Sequence, residues 1–183
     1  MTSKDTIKIA VSGMFIALVF VATFINVPFP GAVGGLVHLG TLMMLIIAMR
    51  FGRYYGALSG GIGMALFDIF SGWGLWAPGT LVVRLIMGFM VGWIALDSKK
   101  GQGKGIVSNI VAWSVGLLIM IVGYYFYEAI FLTDFNLAFA SIWGNLIQFG
   151  IGVLAIPISK FTMDNKAFDD IYDRIKITNK QPK

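Results

Sequence analysis

Apolar residues in this chain fall in long blocks, and the charges lie between the blocks. From Lys8 to Arg50 there are 41 residues without a formal charge, apart from a possible one on His38. Another 23 separate Lys104 from Glu128, and 25 separate Asp134 from Lys160. A helix needs ~20 apolar residues to cross the hydrocarbon of a bilayer, so the first block fits two crossings and the other two fit one each. The first block is divided by the turn-forming run Val27-Pro28-Phe29-Pro30-Gly31-Ala32-Val33-Gly34-Gly35. The middle of the chain is interrupted by Asp68 and Arg84, and Ser71-Gly72-Trp73-Gly74 splits it into two more segments. The pattern therefore predicts an all-α integral membrane protein with six transmembrane helices, over 7–25, 36–49, 54–70, 80–96, 106–127 and 137–159. Residues 1–160 make the transmembrane domain and 161–183 a cytoplasmic tail. In that tail Phe168, Ile171, Tyr172 and Ile175 recur at helical spacing among charges. This reads either as a short amphipathic helix lying on the inner leaflet or as a frayed polar tail.

Charge sets the orientation. Lys4 and Lys8 precede the first segment, Arg50 and Arg53 join the second to the third, and Lys99, Lys100 and Lys104 join the fourth to the fifth. Lys160, Lys166, Arg174, Lys176, Lys180 and Lys183 follow the sixth. Thirteen of the 14 basic residues thus share one side, and the positive-inside rule places both termini in the cytoplasm. Composition agrees: 57% of the 183 residues are hydrophobic and 13% charged, far from the balance of a soluble domain. The net charge of +5 is explained by orientation and anionic lipid, without nucleic acid. With no cysteine and one histidine, disulfides, thiolate metal sites and multi-histidine metal sites are excluded. No phosphate-binding G-x-x-x-x-G-K-[ST] motif is present, so no ATPase of that type is encoded, and no catalytic residue or cofactor site emerges.

The remaining ionisable groups gather toward the outer surface. Arg84 lies about four residues, roughly 6 Å, below the outer end of its segment. Asp68, Glu128 and His38 are also near outer ends, and Asp134 is in the last outer loop. Charge inside a membrane is costly unless it is paired or faces water. Arg84 therefore needs Asp68 or Glu128, in a structural ion pair tying three helices together or in a polar cavity open to the outside. Trp73, Trp76, Tyr124, Tyr125 and Tyr127 lie at the same level, with Trp143, Asn145 and Gln148 entering from outside on the last segment. Aromatic faces with a few directed hydrogen bonds suit a flat polar ring, although tryptophan and tyrosine also form interfacial belts. The candidate ligand contacts are Arg84, Glu128, Tyr124, Asn145, Gln148 and Trp76, with His38 and Asp68 beside them. Small residues form a second pattern. Ala10, Gly13 and Ala17 mark one face of the first segment, Gly56, Gly60 and Gly63 the third, and Gly88 and Gly92 the fourth. Such faces let helices approach closely.

Several strings carry a family likeness: Val27-Pro28-Phe29-Pro30-Gly31, then Gly35-Leu36-Val37-His38-Leu39-Gly40-Thr41; Phe51-Gly52; Tyr55-Gly56-Ala57-Leu58-Ser59-Gly60-Gly61-Ile62-Gly63; and Ala65 to Asp68. With six segments and cytoplasmic termini, the chain resembles the substrate-binding (S) components of energy-coupling factor (ECF) vitamin transporters, over nearly its whole length. The look is closest to the members for hydroxymethylpyrimidine, pyridoxine and riboflavin. The resemblance implies capture of a vitamin from outside, docking on a transmembrane scaffold subunit with two ATPases, and release inward. It also implies that the small face of the first segment, here Ala10, Gly13 and Ala17 in place of Ala-x-x-x-Ala, contacts the scaffold. Pyridoxine or hydroxymethylpyrimidine is the first expectation for the ligand and riboflavin the second, in a bacterial cell membrane. The rival reading is a non-transporting membrane assembly or channel-forming subunit.

Overall fold

The computed structural model describes residues 3–28, 36–98, 105–163 and 165–176. The described chain is a helical bundle with one small hairpin. Helix α1 (Ser3–Thr23) leads into strands β1 (Asn26–Pro28) and β2 (Leu36–His38), which pair antiparallel with Asn26 opposite His38. Helices α2 (Leu39–Phe51), α3 (Arg53–Phe70) and α4 (Ala77–Gly92) follow, and α4 continues as a π-helical turn over Trp93–Asp97. Helix α5 (Ile106–Tyr127) likewise continues as a π-helical turn over Glu128–Leu132. Then come α6 (Phe135–Gly152), α7 (Ala155–Met163) and α8 (Lys166–Ile175).

Each of the six hydrophobic segments is helical over most of its length, with two corrections. Residues 36–38, expected to begin the second helix, form β2 instead. The last segment is two helices rather than one, broken at Val153 and Leu154. Pro157 has no N–H to offer the Val153 carbonyl, which accepts from Ile156 at 3.1 Å in a tighter turn. The turn run at 29–35 and the lysines at 99, 100, 104, 180 and 183 lie outside the described residues.

Four stretches are long and apolar enough to cross a membrane: Lys4–Thr23, Ala77–Asp97, Ile106–Leu132 and Phe135–Met163. Helix α2 is different. Its 13 residues span only ~20 Å. It is apolar all round, as a helix enclosed by others must be. Met44, Leu45, Ala48 and Met49 have no exposed surface, and α1, α3, α4, α6 and α7 all pack against it. Around this centre α3 and α4 cross with backbones nearly touching. A Cβ added at Gly88 would lie 2.3 Å from the Gly56 carbonyl oxygen, so the glycines here serve internal packing.

The up-and-down path gives the bundle two ends. The hairpin and the α3–α4 and α5–α6 loops share one. The α2–α3 junction, the π-helical end of α4, and α8 share the other. At this second end Gly52 turns the chain with φ +91°, and its missing side chain leaves room for Asp97, whose Oδ2 accepts from the Arg53 N–H at 2.9 Å. Helix α8 is amphipathic as its spacing predicts, but its apolar face packs onto the bundle rather than onto a lipid leaflet. Ile175 is fully buried, and Phe168, Ile171 and Tyr172 pack against the core. The buried Arg50 donates to Asp169 Oδ1 at 2.5 Å, and the Tyr55 hydroxyl donates to the Ile175 carbonyl at 3.0 Å.

Candidate functional site

A cavity of about 70 Å³ opens at the hairpin end. Helix α3 brings Asp68, with Met64 and Phe67, to its wall. The α3–α4 loop then folds back through two short turns, Trp73 N–H to the Asp68 carbonyl and Trp76 N–H to the Trp73 carbonyl, both 2.8 Å. This sets both indoles at the mouth. Trp76 precedes the first turn of α4, where Pro78 occupies a position that needs no N–H partner. Thr80 and Arg84 follow one turn apart on the same face. Tyr124 and Glu128 reach in from α5 and its π-helical extension, Ser141, Gly144 and Asn145 from α6, Thr23 from α1, and Leu36 and His38 from the hairpin.

Of the eight candidate contacts, Arg84, Glu128, Tyr124, Asn145, Trp76, His38 and Asp68 line this one cavity. Gln148 does not. Its side chain is 2% exposed and bonded to the His38 backbone, accepting from its N–H and donating to its carbonyl, each at 2.6 Å. Trp143 is 60% exposed and faces away from the bundle. Tyr127 donates its hydroxyl to the Leu75 carbonyl at 2.6 Å and so ties the α3–α4 loop to α5. Among residues not singled out beforehand, Thr23, Thr80 and Ser141 add hydroxyls to the wall. Ser141 and Asn145 are one helical turn apart, a polar stripe on α6 that could have flagged the serine.

Of the two readings offered for Arg84, the structural ion pair is not formed. Among the described residues no carboxylate lies within 4.0 Å of Arg84, although the side chain is almost wholly buried. Its Nε donates to the Tyr124 hydroxyl at 3.2 Å, and its Nη1 faces the sulfurs of Met120 and Met87 at 3.2 and 3.4 Å. The Tyr124 ring also lies against the guanidinium, 5.3 Å from the centroid. Thioethers are weak acceptors, so the cation keeps unspent donor capacity. The Tyr124 hydroxyl donates onward to Thr80 Oγ1 at 3.2 Å, and the Thr80 side chain faces Asp68. The hydroxyls of Tyr124 and Thr80 thus extend from Arg84 toward Asp68. Asp68 Oδ2 and His38 Nδ1 are buried without hydrogen-bond partners. Glu128 is 3% exposed and stands by Ser141. A cationic donor, a carboxylate acceptor, an amide and three aromatic rings at one mouth can hold a flat heterocycle carrying both donor and acceptor groups.

The small face of α1 is on the outside. Ala10, Gly13 and Ala17 are exposed, and a Cβ built on Gly13 would meet nothing within 4 Å. No group of three or more metal-ligating side chains occurs among the described residues.

This polar pocket in an apolar bundle has the architecture of a membrane solute-binding subunit. Residues 3–162 match the family model of the ECF-type riboflavin transporter, S component, and the chain belongs to that family. It is a multi-pass membrane protein of vitamin uptake, and S components are substrate-binding subunits rather than enzymes. The chain is also 30% identical over 108 residues to an "uncharacterized protein in gap 3'region" of Pyrococcus woesei, covering 59% of this chain and 68% of that one. It is 29% identical over 125 residues to a UPF0397 protein of Streptococcus sanguinis strain SK36, covering 62% of this chain and 69% of the relative.

Proposed function

We propose that this chain captures a B vitamin or its precursor from outside the cell and delivers it inward after docking on an ATP-driven ECF module. The observation that carries this reading is the convergence of Arg84, Asp68, Glu128, Asn145, Tyr124, Trp73 and Trp76 on one cavity at one end of the bundle. The sequence alone put the single-ring ligands pyridoxine and hydroxymethylpyrimidine first. The family match favours riboflavin, and three aromatic rings with donors and acceptors on separate helices suit a fused ring. At about 70 Å³ the cavity is well below the ~300–1,000 Å³ of pockets for molecules of that size. Entry of a fused ring therefore requires the cavity to widen.

In this reading the chain crosses the membrane six times with both termini in the cytoplasm of a bacterial cell, and the cavity opens outward. Asn145 and Arg84 hold polar edges of the ligand, while Tyr124 and Trp76 stack on its face. The bare outer face of α1 at Ala10, Gly13 and Ala17 docks on the scaffold subunit, which carries two ATPases. Purification from the native membrane tests both halves. The expected result is co-purification of a scaffold and two ATPases, with a vitamin released on denaturation and identified by mass. A preparation that carries no vitamin, binds none from a panel of B vitamins and brings down no ATPase overturns the proposal.

A further inference from the structure

Leu36 and His38 are the hairpin's contribution to the cavity wall, so the hairpin's placement is part of the site. Three observations bear on what places it. The β1–β2 pairing is only three residues long, too short to hold the hairpin by itself. His38 lies at the junction of β2 and α2, extended at φ −145° and ψ 157°, with both backbone polar groups available for pairing. Gln148, on α6 and 110 residues away, satisfies both with one side-chain amide at 2.6 and 2.6 Å, as a neighbouring strand would. All of this is buried, with Gln148 at 2% and His38 at 9% exposure. Gly40 adds a steric constraint on the other side of the imidazole: a Cβ there would lie 3.0 Å from His38 Nδ1 and 2.1 Å from Thr23 Oγ1. No other side chain among the described residues bonds the hairpin to α6.

We infer that Gln148 is a positioning residue for ligand binding: it pins His38 to α6 and thereby registers the hairpin as the front wall of the vitamin pocket. It acts through His38 and touches no ligand itself. The inference rests on the pocket reading above for its functional consequence, but the clip can be tested without a ligand.

The chain has one histidine, which gives a unique probe. With the full-length protein in lipid nanodiscs, exchange of the His38 amide proton is followed by NMR. In wild type that proton is bonded in a buried site and exchanges slowly. In Gln148→Leu it loses its acceptor, and exchange rises at least about tenfold. Riboflavin, titrated in parallel, binds at least about tenfold more weakly, because two buried backbone groups are left unpaired. Gln148→Glu supplies the reading that a packing role would not move. Its protonated carboxyl can accept from the His38 N–H and donate to the His38 carbonyl, as the amide does, while the carboxylate cannot donate. Riboflavin affinity of Gln148→Glu relative to wild type therefore recovers as pH falls from about 8 to about 5, while that of Gln148→Leu stays low. His38, Asp68 on α3, Glu128 beyond α5 and the charge of Arg84 face the same site in every variant, and Gln148→Leu, which keeps them all without an acid at position 148, is the control for their pH dependence. Helix α2 brings only Arg50, at the far end. Unchanged His38 exchange in Gln148→Leu overturns the clip, and it does so whether or not riboflavin binds. Altered exchange with undiminished riboflavin affinity, or with no recovery of Gln148→Glu at low pH, overturns the positioning role. Failure of wild type to bind riboflavin while exchange responds as expected counts against the choice of ligand and supports the clip.

Discussion

Each end of the bundle buries one arginine, and the two are treated differently. At the end closed by α8, Arg50 meets a carboxylate. It donates to the Asp169 carboxylate and to the Thr162 carbonyl, at 2.5 and 3.4 Å, and its guanidinium lies 5.5 and 5.6 Å from the ring centroids of Phe51 and Tyr172. At the hairpin end, Arg84 has one hydroxyl, two thioethers and one ring, with no carboxylate in reach. A buried cation left with weak acceptors costs stability, and such a cost is tolerated where the group meets something else in function. Asp68 and His38 keep unpaired buried atoms beside Arg84, whereas Tyr55 and the last turn of α8 satisfy each other. The arginine at the α8 end is matched by a carboxylate; the one in the cavity keeps spare hydrogen-bonding capacity.

Substitutions can break this contrast. The largest effect belongs to Arg84→Met, which keeps the volume and removes the charge. Vitamin affinity falls about a hundredfold, the loss of a charged hydrogen bond in a dry site. Thermal stability stays level or rises, since no ion pair is lost. Calorimetric titration and a melting scan on one preparation check both. Asp169→Ala does the reverse. Removing the carboxylate from Arg50 lowers stability by about 1–2 kcal/mol, less than for a fully enclosed pair because Asp169 is 55% exposed. Vitamin affinity changes by less than about twofold. Tyr55→Phe deletes the hydrogen bond to the Ile175 carbonyl and lowers stability by ~0.5–1.5 kcal/mol, read as faster proteolysis of the tail. Trp143→Ala, on the outer surface of α6, leaves affinity within experimental scatter and stability within ~0.5 kcal/mol. A large loss of affinity there would move the site to the outside of the bundle.

The helices were legible because lipid and core both demand long apolar runs, and charges can only fall between them. The break at Val153 followed from Pro157, but high hydropathy on both sides hid it. Helix α8 was legible as amphipathic, yet spacing does not say whether an apolar face meets lipid or protein; Ile175 and the Arg50–Asp169 contact decide that in space. The candidate site was legible for a similar reason, since few polar side chains can sit below an outer surface without purpose. Its internal wiring was not. Asn145 and Gln148 are three residues apart on one helix, and nothing in their spacing reveals that one lines the cavity while the other bonds the His38 backbone. The spacing offers Asp68 and Glu128 as partners for Arg84, but it does not show that the Tyr124 hydroxyl takes the Arg84 Nε instead.

The most direct test of the pocket is a riboflavin titration, followed by fluorescence, of wild type, Arg84→Met and Asn145→Ala in the same lipid environment. Saturable binding by wild type, weakened about a hundredfold in the first variant and at least about tenfold in the second, is the predicted result. If both variants bind as tightly as wild type, the cavity at the hairpin end is not where the vitamin sits.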